Sequence, residues 1–328
     1  MRTLTFLLAA FLGGMPSVSG QTLVKGQAFL MGSDFEIEIA HADPDSAELL
    51  IEEAFFHIEY LEALISSWDP ASQTAAINRN AGKRPVPIHR ELFNLIRRAQ
   101  FVSELTEGAF DISYASMDRL WRFDGSMTTL PDSQAVRTSV RLINYQDIET
   151  DDTNYTVYLR KPGMRIGFGA IGKGFAAKQV MDLLKNRGVK SGVVNAGGDL
   201  IAWGRESDTE RWKVAIRDPK TKGGVLAWLE IEDQAVVTSG DYERFALIDG
   251  KRYAHIIDPR TGYPVQGLQS CTVIGPDPEL CDALATAFFV LGPEKAIPLA
   301  EQFKGIEVLF VLADDSLQQS SGLNLRFE

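Results

Sequence analysis

The chain has 328 residues, 45% of them hydrophobic, which is enough apolar material for a full globular core. Its formal net charge of −11 argues against nucleic acid as a partner, although a phosphorylated ligand gripped by local backbone amides and a metal remains compatible with it. Only Cys271 and Cys281 are present, which excludes a disulfide-rich scaffold and any cysteine-based zinc or iron–sulfur site.

Residues 1–20 read as a secretion signal. Arg2 precedes the apolar run Leu4 to Leu12, Gly13, Gly14 and Pro16 break it, and the small residues Ser17 to Gly20 follow, so cleavage is expected near Gly20. The run is about half the ~20 residues a spanning helix needs. No cysteine lies near the cleavage region, so a lipoprotein form is not expected, and residues 21–328 are expected as one exported, periplasmic unit. Because Arg2 is the only charge in the signal, that unit carries −12. An oxidising compartment permits Cys271 and Cys281 to pair, but two separate buried thiols is the default expectation.

In chain order, Ala28 to Ala40 alternates like a single strand. Asp43-Pro44-Asp45 then opens a helix with apolar residues at Leu49, Leu50, Ala54, Ile58, Leu61, Leu64 and Ile65. A second helix is predicted over Arg90 to Glu104 and is stopped by Thr106-Glu107-Gly108. Residues 124–136 are turn-rich and polar and read as a surface loop, and Arg141 to Tyr158 holds short strand-like pieces. Met164 to Phe168 is a strand candidate, Lys173 to Asn186 a helix ended by Arg187-Gly188, and Gly192 to Asn195 a strand. Trp212 to Ile216 and Val225 to Ile231 alternate as strands. No repeat and no linker divides the chain, so one α+β unit is expected.

Gly167-Phe168-Gly169-Ala170-Ile171-Gly172 satisfies GxGxxG between a strand candidate and a helix. The acid expected after the next strand of a dinucleotide-binding unit is missing, since Asn195-Ala196-Gly197-Gly198 stands there. The phosphate-loop pattern fails as well, because Gly174 replaces the Ser/Thr after Lys173. A glycine turn entering a helix still offers backbone N–H groups and the positive end of the helix dipole, with Lys173 beside it, which suits a diphosphate. The plainer reading is a tight connection that glycine allows to pack closely.

Asp282 and Thr286 are four residues apart in a stretch of helix formers, so both side chains share one face. A carboxylate plus a hydroxyl is a hard-oxygen pair suited to Mg²⁺. The alternative is that Asp282 caps the start of its helix and Thr286 only packs. His255 precedes an Asp-Pro turn, Asp258-Pro259-Arg260-Thr261-Gly262, where it would face a cleft and take a proton from an attacking hydroxyl. A lone histidine is more often a satisfied structural residue, and that is the alternative here. Arg260 stands as either a phosphate clamp or a turn ion pair.

Taken together these segments resemble the ApbE family of flavin transferases. The ordered pattern is Gly169 to Gly174, Asn195 to Asp199 (NAGGD), Thr238 to Gly240 (TSG), His255 to Gly262 (HIIDPRTG) and Asp282 to Thr286 (DALAT). Met31-Gly32-Ser33, Ser67-Trp68-Asp69, Gly108 to Asp111 and Leu120 to Phe123 extend it over most of the chain. The resemblance implies a single ApbE-like, T-fold-like α+β unit of mixed sheets packed with helices. It also implies an enzyme that cleaves FAD and passes FMN, through its phosphate, to a threonine of an acceptor protein with release of AMP. The acceptor class it implies is a periplasm-facing electron-transfer subunit. Carried onto this chain, it places Mg²⁺ at the Ala170 carbonyl, Asp282 and Thr286, and FAD against Met31, Trp68, Ala109, Phe110, Asp111, Lys173 and Ile257. His255 is the candidate for proton handling. Trp68 suits a flat stacking surface, its alternative role being a core anchor.

The chain departs from the pattern where some relatives carry acids, at Gly167 and Ala285, which leaves fewer protein carboxylates for a metal. Three rival functions share parts of the same signature. They are a periplasmic FAD pyrophosphatase giving FMN and AMP, a non-catalytic flavin-binding assembly protein, and, more distantly, a Rossmann oxidoreductase.

Overall fold

A computed structural model describes residues 21–207, 209–221, 223–242 and 245–327. Residues 1–20, read above as the export signal, lie outside them. Eight strands form the main sheet: β1 (Thr22–Leu30), β2 (Ser33–His41), β3 (Gly192–Ala196), β4 (Asp199–Trp203), β5 (Gln234–Gly240), β6 (Leu268–Gly275), β7 (Glu307–Leu312) and β8 (Leu317–Gln319). Their order in the sheet is their order in the chain, and every neighbouring pair is antiparallel. The parallel βαβ unit that a Rossmann turn requires is therefore absent from this sheet.

Antiparallel neighbours need only short turns, yet four connections are long and carry the rest of the molecule, the one between β5 and β6 holding the hairpin Phe245–Ile248 and Lys251–Ala254. Between β2 and β3 lie α1 (Pro44–Ile65), α2 (Gln73–Arg79), α3 (Arg90–Leu105), α4 (Ser133–Ser139), α5 (Gly172–Asn186) and a small sheet of Val86–Pro87, Thr156–Leu159 and Ile148–Asp151. Between β4 and β5 the strands Trp212–Arg217 and Val225–Ile231 form a hairpin. Between β6 and β7 run α6 (Pro278–Leu291) and α7 (Pro293–Ala300).

Period-two alternation sorts the strands between two layers. Ile201, Trp203, Ala235, Val237, Cys271, Val273, Val308 and Phe310 face the helices in the main core. Ala202, Val236, Ile274 and Leu309, one residue out of step, face a second cluster with Trp212, Ile216, Leu229 and Ile231 of the hairpin. The molecule is thus helices on one face of an antiparallel sheet and a hairpin on the other, an α+β arrangement of mixed sheets as expected. Cys271 and Cys281 are both buried and unbridged.

The single strand expected over Ala28 to Ala40 is the two arms of a hairpin. Leu30 pairs with Ser33, and Met31 and Gly32 between them have φ of 51° and 73°, the paired positive values of the turn that suits strand twist. Met-Gly lacks the Asn-Gly signature of such turns, so the alternation reads straight through it. On α1, Pro44 occupies the first turn and Ile51, Phe55, Ile58 and Leu61 are buried, whereas Leu49, counted in its apolar stripe, points outward at 66% exposure. Met164 to Phe168 joins no strand ladder. Its backbone is held by side chains instead: Asn78 both donates to and accepts from Ile166, and the Ser116 hydroxyl does the same with Arg165. The polar stretch 124–136 is loop only to Asp132, whose carboxylate caps α4.

Helix α6 is apolar on nearly every side and buried on nearly every side, as such a helix must be. Glu279 in its first turn is one of two buried carboxylates on it, with Asp282, and burial pushes the Glu279 pKa up while Arg98 of α3, forking onto both carboxylate oxygens, draws it down. Arg98→Ala strands that carboxylate and is expected to cost about 1–3 kcal/mol, discounted because Arg98 is itself half exposed. A urea midpoint measures it, and the double variant Arg98→Leu/Glu279→Leu should recover most of the loss.

Candidate active site

Six segments converge on one cavity of about 190 Å³: residues 109–114, the turn before α5, the start of β4, the end of β5, the stretch 255–259 and the middle of α6. Its wall includes Ala109, Phe110, Asp111, Ala170, Lys173, His255, Ile257, Asp282 and Thr286, nine of the residues singled out from sequence.

The junction of α5 and α6 sets the geometry. Asp282 Oδ2 accepts a 2.8 Å hydrogen bond from the Gly174 N–H, the third helical residue of α5, whose own flanking residue Ile171 has no capping side chain. Asp282 therefore caps a helix, but not its own: Asp277 caps α6 through the N–H groups of Glu279 and Leu280. The close approach needs a glycine. A Cβ on Gly174 would lie 2.3 Å from the Pro278 carbonyl oxygen and 2.7 Å from Asp282 Cβ. This is the physical reason for glycine where a phosphate loop has Ser or Thr.

The same geometry corrects the expected cradle of free amides. The N–H groups of Ile171 and Gly172 bond to the Phe168 carbonyl, and that of Gly174 is taken by Asp282. What the turn offers the cavity is Lys173, whose Nζ lies 2.5 Å from Asp199 Oδ2. Asp199 is buried at the head of β4, delivered by the two-residue turn Gly197-Gly198 with φ of 65° and 108°. Burial and the Asp199 charge push the Asp282 carboxyl up to about 7, while Lys173 and the Gly174 N–H pull the other way.

Thr286, one turn beyond Asp282, places its hydroxyl 3.4 Å from that of Ser239 on β5. Among the described residues no cluster of three His, Cys, Asp or Glu side chains has metal-binding geometry. The groups at this spot are of another kind: one carboxylate beside a second carboxylate and the Thr286 hydroxyl, with Ala170 in the same wall. A hard divalent cation takes such a mixed set and completes it with water or substrate phosphate. A buried carboxyl held near 7 by desolvation and a neighbouring negative charge is also one that a cation would keep ionised. The residues fit Mg²⁺.

Asp111 lines the cavity with its oxygens already committed. Oδ1 accepts from the Ser113 N–H and hydroxyl, both at 2.7 Å, and Oδ2 from the Tyr145 N–H at 2.8 Å. Its effect is to fix the loop that presents Ala109, Phe110 and Tyr114. His255 follows the short strand Lys251–Ala254 and faces the cavity half-buried. Of the two readings of Arg260, the structure shows the ion pair: Nε and a terminal nitrogen fork onto Asp258 at 2.9 Å each. Asp258 also closes the turn through the N–H groups of Thr261 and Gly262, and the Gly262 carbonyl accepts from the Trp121 indole.

Two residues expected at the FAD site stand outside the cavity wall. Met31 packs beneath the first turn of α5, its Cε 3.4 Å from where a Gly172 Cβ would be. Trp68 is 76% exposed, so it is no core anchor, and the Arg119 guanidinium lies 4.4 Å over its ring. Sequence reasoning carried Asp199 and Ser239 only as parts of the NAGGD and TSG segments, with no role of their own, and missed Tyr114. The usable signal for Asp199 was an acid placed directly after Gly-Gly, since a two-residue turn reverses the chain and returns that side chain to the side of β3's end.

The ApbE family profile matches residues 31–310. FAD:protein FMN transferases of Treponema pallidum and Klebsiella pneumoniae are 33% and 34% identical to the chain. The alignments cover 97% and 94% of this chain, and 93% and 96% of those proteins. The ApbE protein of Thermotoga maritima superposes with a TM-score of 0.82 at 30% identity, covering 92% of this chain and 97% of its own. The flavinyl transferase ApbE of Pseudomonas stutzeri, in its apo form, gives 0.81 at 28%, covering 92% and 95%. The fold is thus that of the flavin transferases, helices and mixed sheets in one domain. The chain belongs to the ApbE family.

Proposed function

We infer that this enzyme, an FAD:protein FMN transferase, moves the FMN half of FAD onto a threonine hydroxyl of an acceptor protein and releases AMP. The observation that carries the reading is one cavity that combines a hard-oxygen corner (Asp282, Thr286, Ala170), a cation (Lys173), a titratable ring (His255) and an apolar wall (Ala109, Phe110, Ile257). Diphosphate suits the first two and a flavin ring the last.

In the reaction the threonine oxygen bonds to the phosphorus of the FMN half, and the bond from that phosphorus to the bridging oxygen breaks. AMP leaves with the bridging oxygen, and the threonine proton must be taken up. His255 lines the same cavity and is the residue we assign to receive it. Mg²⁺ bound at Asp282, Thr286 and Ala170 would neutralise charge on the diphosphate oxygens. Lys173 adds positive charge at the same end of the cavity, held in place by Asp199. Gly174 and Asp282 lock α5 against α6, so the two halves of the site arrive preassembled. The Arg2-led apolar run of residues 1–20 supports export, and we place the reaction in the periplasm, on periplasm-facing electron-transfer subunits.

The test mixes residues 21–328 with FAD, Mg²⁺ and candidate acceptors and reads intact masses. The expected result is one FMN added to the acceptor, AMP in solution, and loss of both with EDTA. AMP and free FMN with an unmodified acceptor would make the enzyme a pyrophosphatase instead. FAD binding with no AMP would make it a non-catalytic flavin carrier.

A further inference from the structure

We propose that an extended, acidic segment of the acceptor protein docks in a groove that leaves the active-site cavity along the edge strand Trp212–Arg217. The proposal rests on the transferase reading above and names where its second substrate binds.

The groove, about 350 Å³, shares Thr238 with the active-site cavity, so a chain lying in it leads to the reacting centre. One bank is the Gly197-Gly198 turn, and the other is the strand Trp212–Arg217, which lines it through Lys213, Val214, Ala215 and Arg217. That strand pairs with Val225–Ile231 on one side, and among the described residues no strand pairs with its other side. An exposed strand edge is a template for an extended segment, which gains main-chain hydrogen bonds while alternate side chains enter the groove. Trp228 lies opposite Ala215 on the neighbouring strand and is 39% exposed in the groove, a flat apolar surface flanked by the two cations. The bank at Gly198 is low: a Cβ there would meet nothing within 4 Å, and its φ of 108° keeps the position for glycine.

Charge selects the occupant. No carboxylate among the described residues lies within ion-pair distance of Lys213 or Arg217. Glu230, opposite Lys213 across the ladder, pairs with Arg326 at 3.0 Å, whereas the nearby Arg205 and Arg211 are both matched by Glu232. On a chain of net charge −11, two uncompensated cations beside the reaction cavity would draw in an acidic segment that the rest of the surface repels.

The experiment is a steady-state titration of a flavinylatable acceptor at saturating FAD and Mg²⁺, read by intact mass, with the wild type and Lys213→Glu/Arg217→Glu. The variant is expected to raise the acceptor KM about tenfold or more, leave kcat and FAD affinity by flavin fluorescence unchanged, and lose the wild type's sensitivity to salt. Lys213→Gln/Arg217→Gln should move KM the same way by less. An acceptor KM within twofold of wild type in both variants overturns the groove while leaving the transferase intact. The same result, with binding to phosphatidylglycerol vesicles lost, would reassign the cations to a membrane surface. A wild-type enzyme that labels no acceptor refutes the transferase reading itself and takes this proposal with it.

Discussion

Asp282→Asn is expected to abolish FMN transfer while leaving the fold intact. The two possible roles of this residue separate cleanly in that variant. As a cap on α5, Asp282 accepts one hydrogen bond from the Gly174 N–H, and an asparagine side-chain oxygen of the same size does this about as well. As a holder of Mg²⁺, it must supply negative charge, and the amide has none. Burial already disfavours that charge, with Asp199 beside it, so no other group in the immediate corner replaces it without cost. Transfer should therefore fall by on the order of 100-fold or more, with thermal stability close to wild type and FAD still bound. Asp282→Ala should lose the cap as well and be less stable by about 1 kcal/mol. The measurement is AMP release and acceptor mass against Mg²⁺ concentration. Full transfer by the asparagine variant would reduce Asp282 to a helix cap and sink the metal assignment.

That double role marks the boundary of what the sequence discloses. The four-residue spacing of Asp282 and Thr286 correctly placed both on one helix, and the boundaries of α3, α5 and the strand Val225–Ile231 followed from periodicity and end signals. These are local properties. The capping bond joins residues 108 apart, and nothing near Asp282 in the chain announces that it serves α5. Asp111 shows the same limit from the other side: its place at the site was legible through the motif, but its three donors come from Ser113 and Tyr145, the latter 34 residues on. Met164 to Phe168 misled because side chains of Asn78 and Ser116 imitate a strand partner for it. The hairpin at Met31-Gly32 was missed because its turn conformation comes without the usual turn residues. Trp68 illustrates a different gap, since an aromatic in a motif says nothing of burial, and this one stands in solvent under Arg119.

Gly174→Ala should be nearly as damaging as the loss of Asp282, for a reason with no chemistry in it. In an open helix, alanine for glycine gains about 1 kcal/mol of helix propensity. Here the new Cβ meets the Pro278 carbonyl oxygen at 2.3 Å and the Asp282 Cβ at 2.7 Å, the first a backbone atom and the second bonded directly to the backbone, so neither can swing away. Relief requires α5 and α6 to separate, and overpacking of this kind costs about 1–3 kcal/mol, which outweighs the propensity gain. The same separation stretches the Gly174 to Asp282 bond and moves Lys173, Asp282 and Thr286 relative to one another, because the first belongs to α5 and the other two to α6. A misplacement on the order of 1 Å is enough to lower transfer by roughly 100-fold. The diagnostic is the pairing of the two readouts: the variant should melt lower than wild type and transfer poorly even at saturating Mg²⁺ and FAD. A variant that melts higher and keeps full activity would show that α5 and α6 have slack between them. The preassembled junction on which the whole reading of the site depends would then not exist.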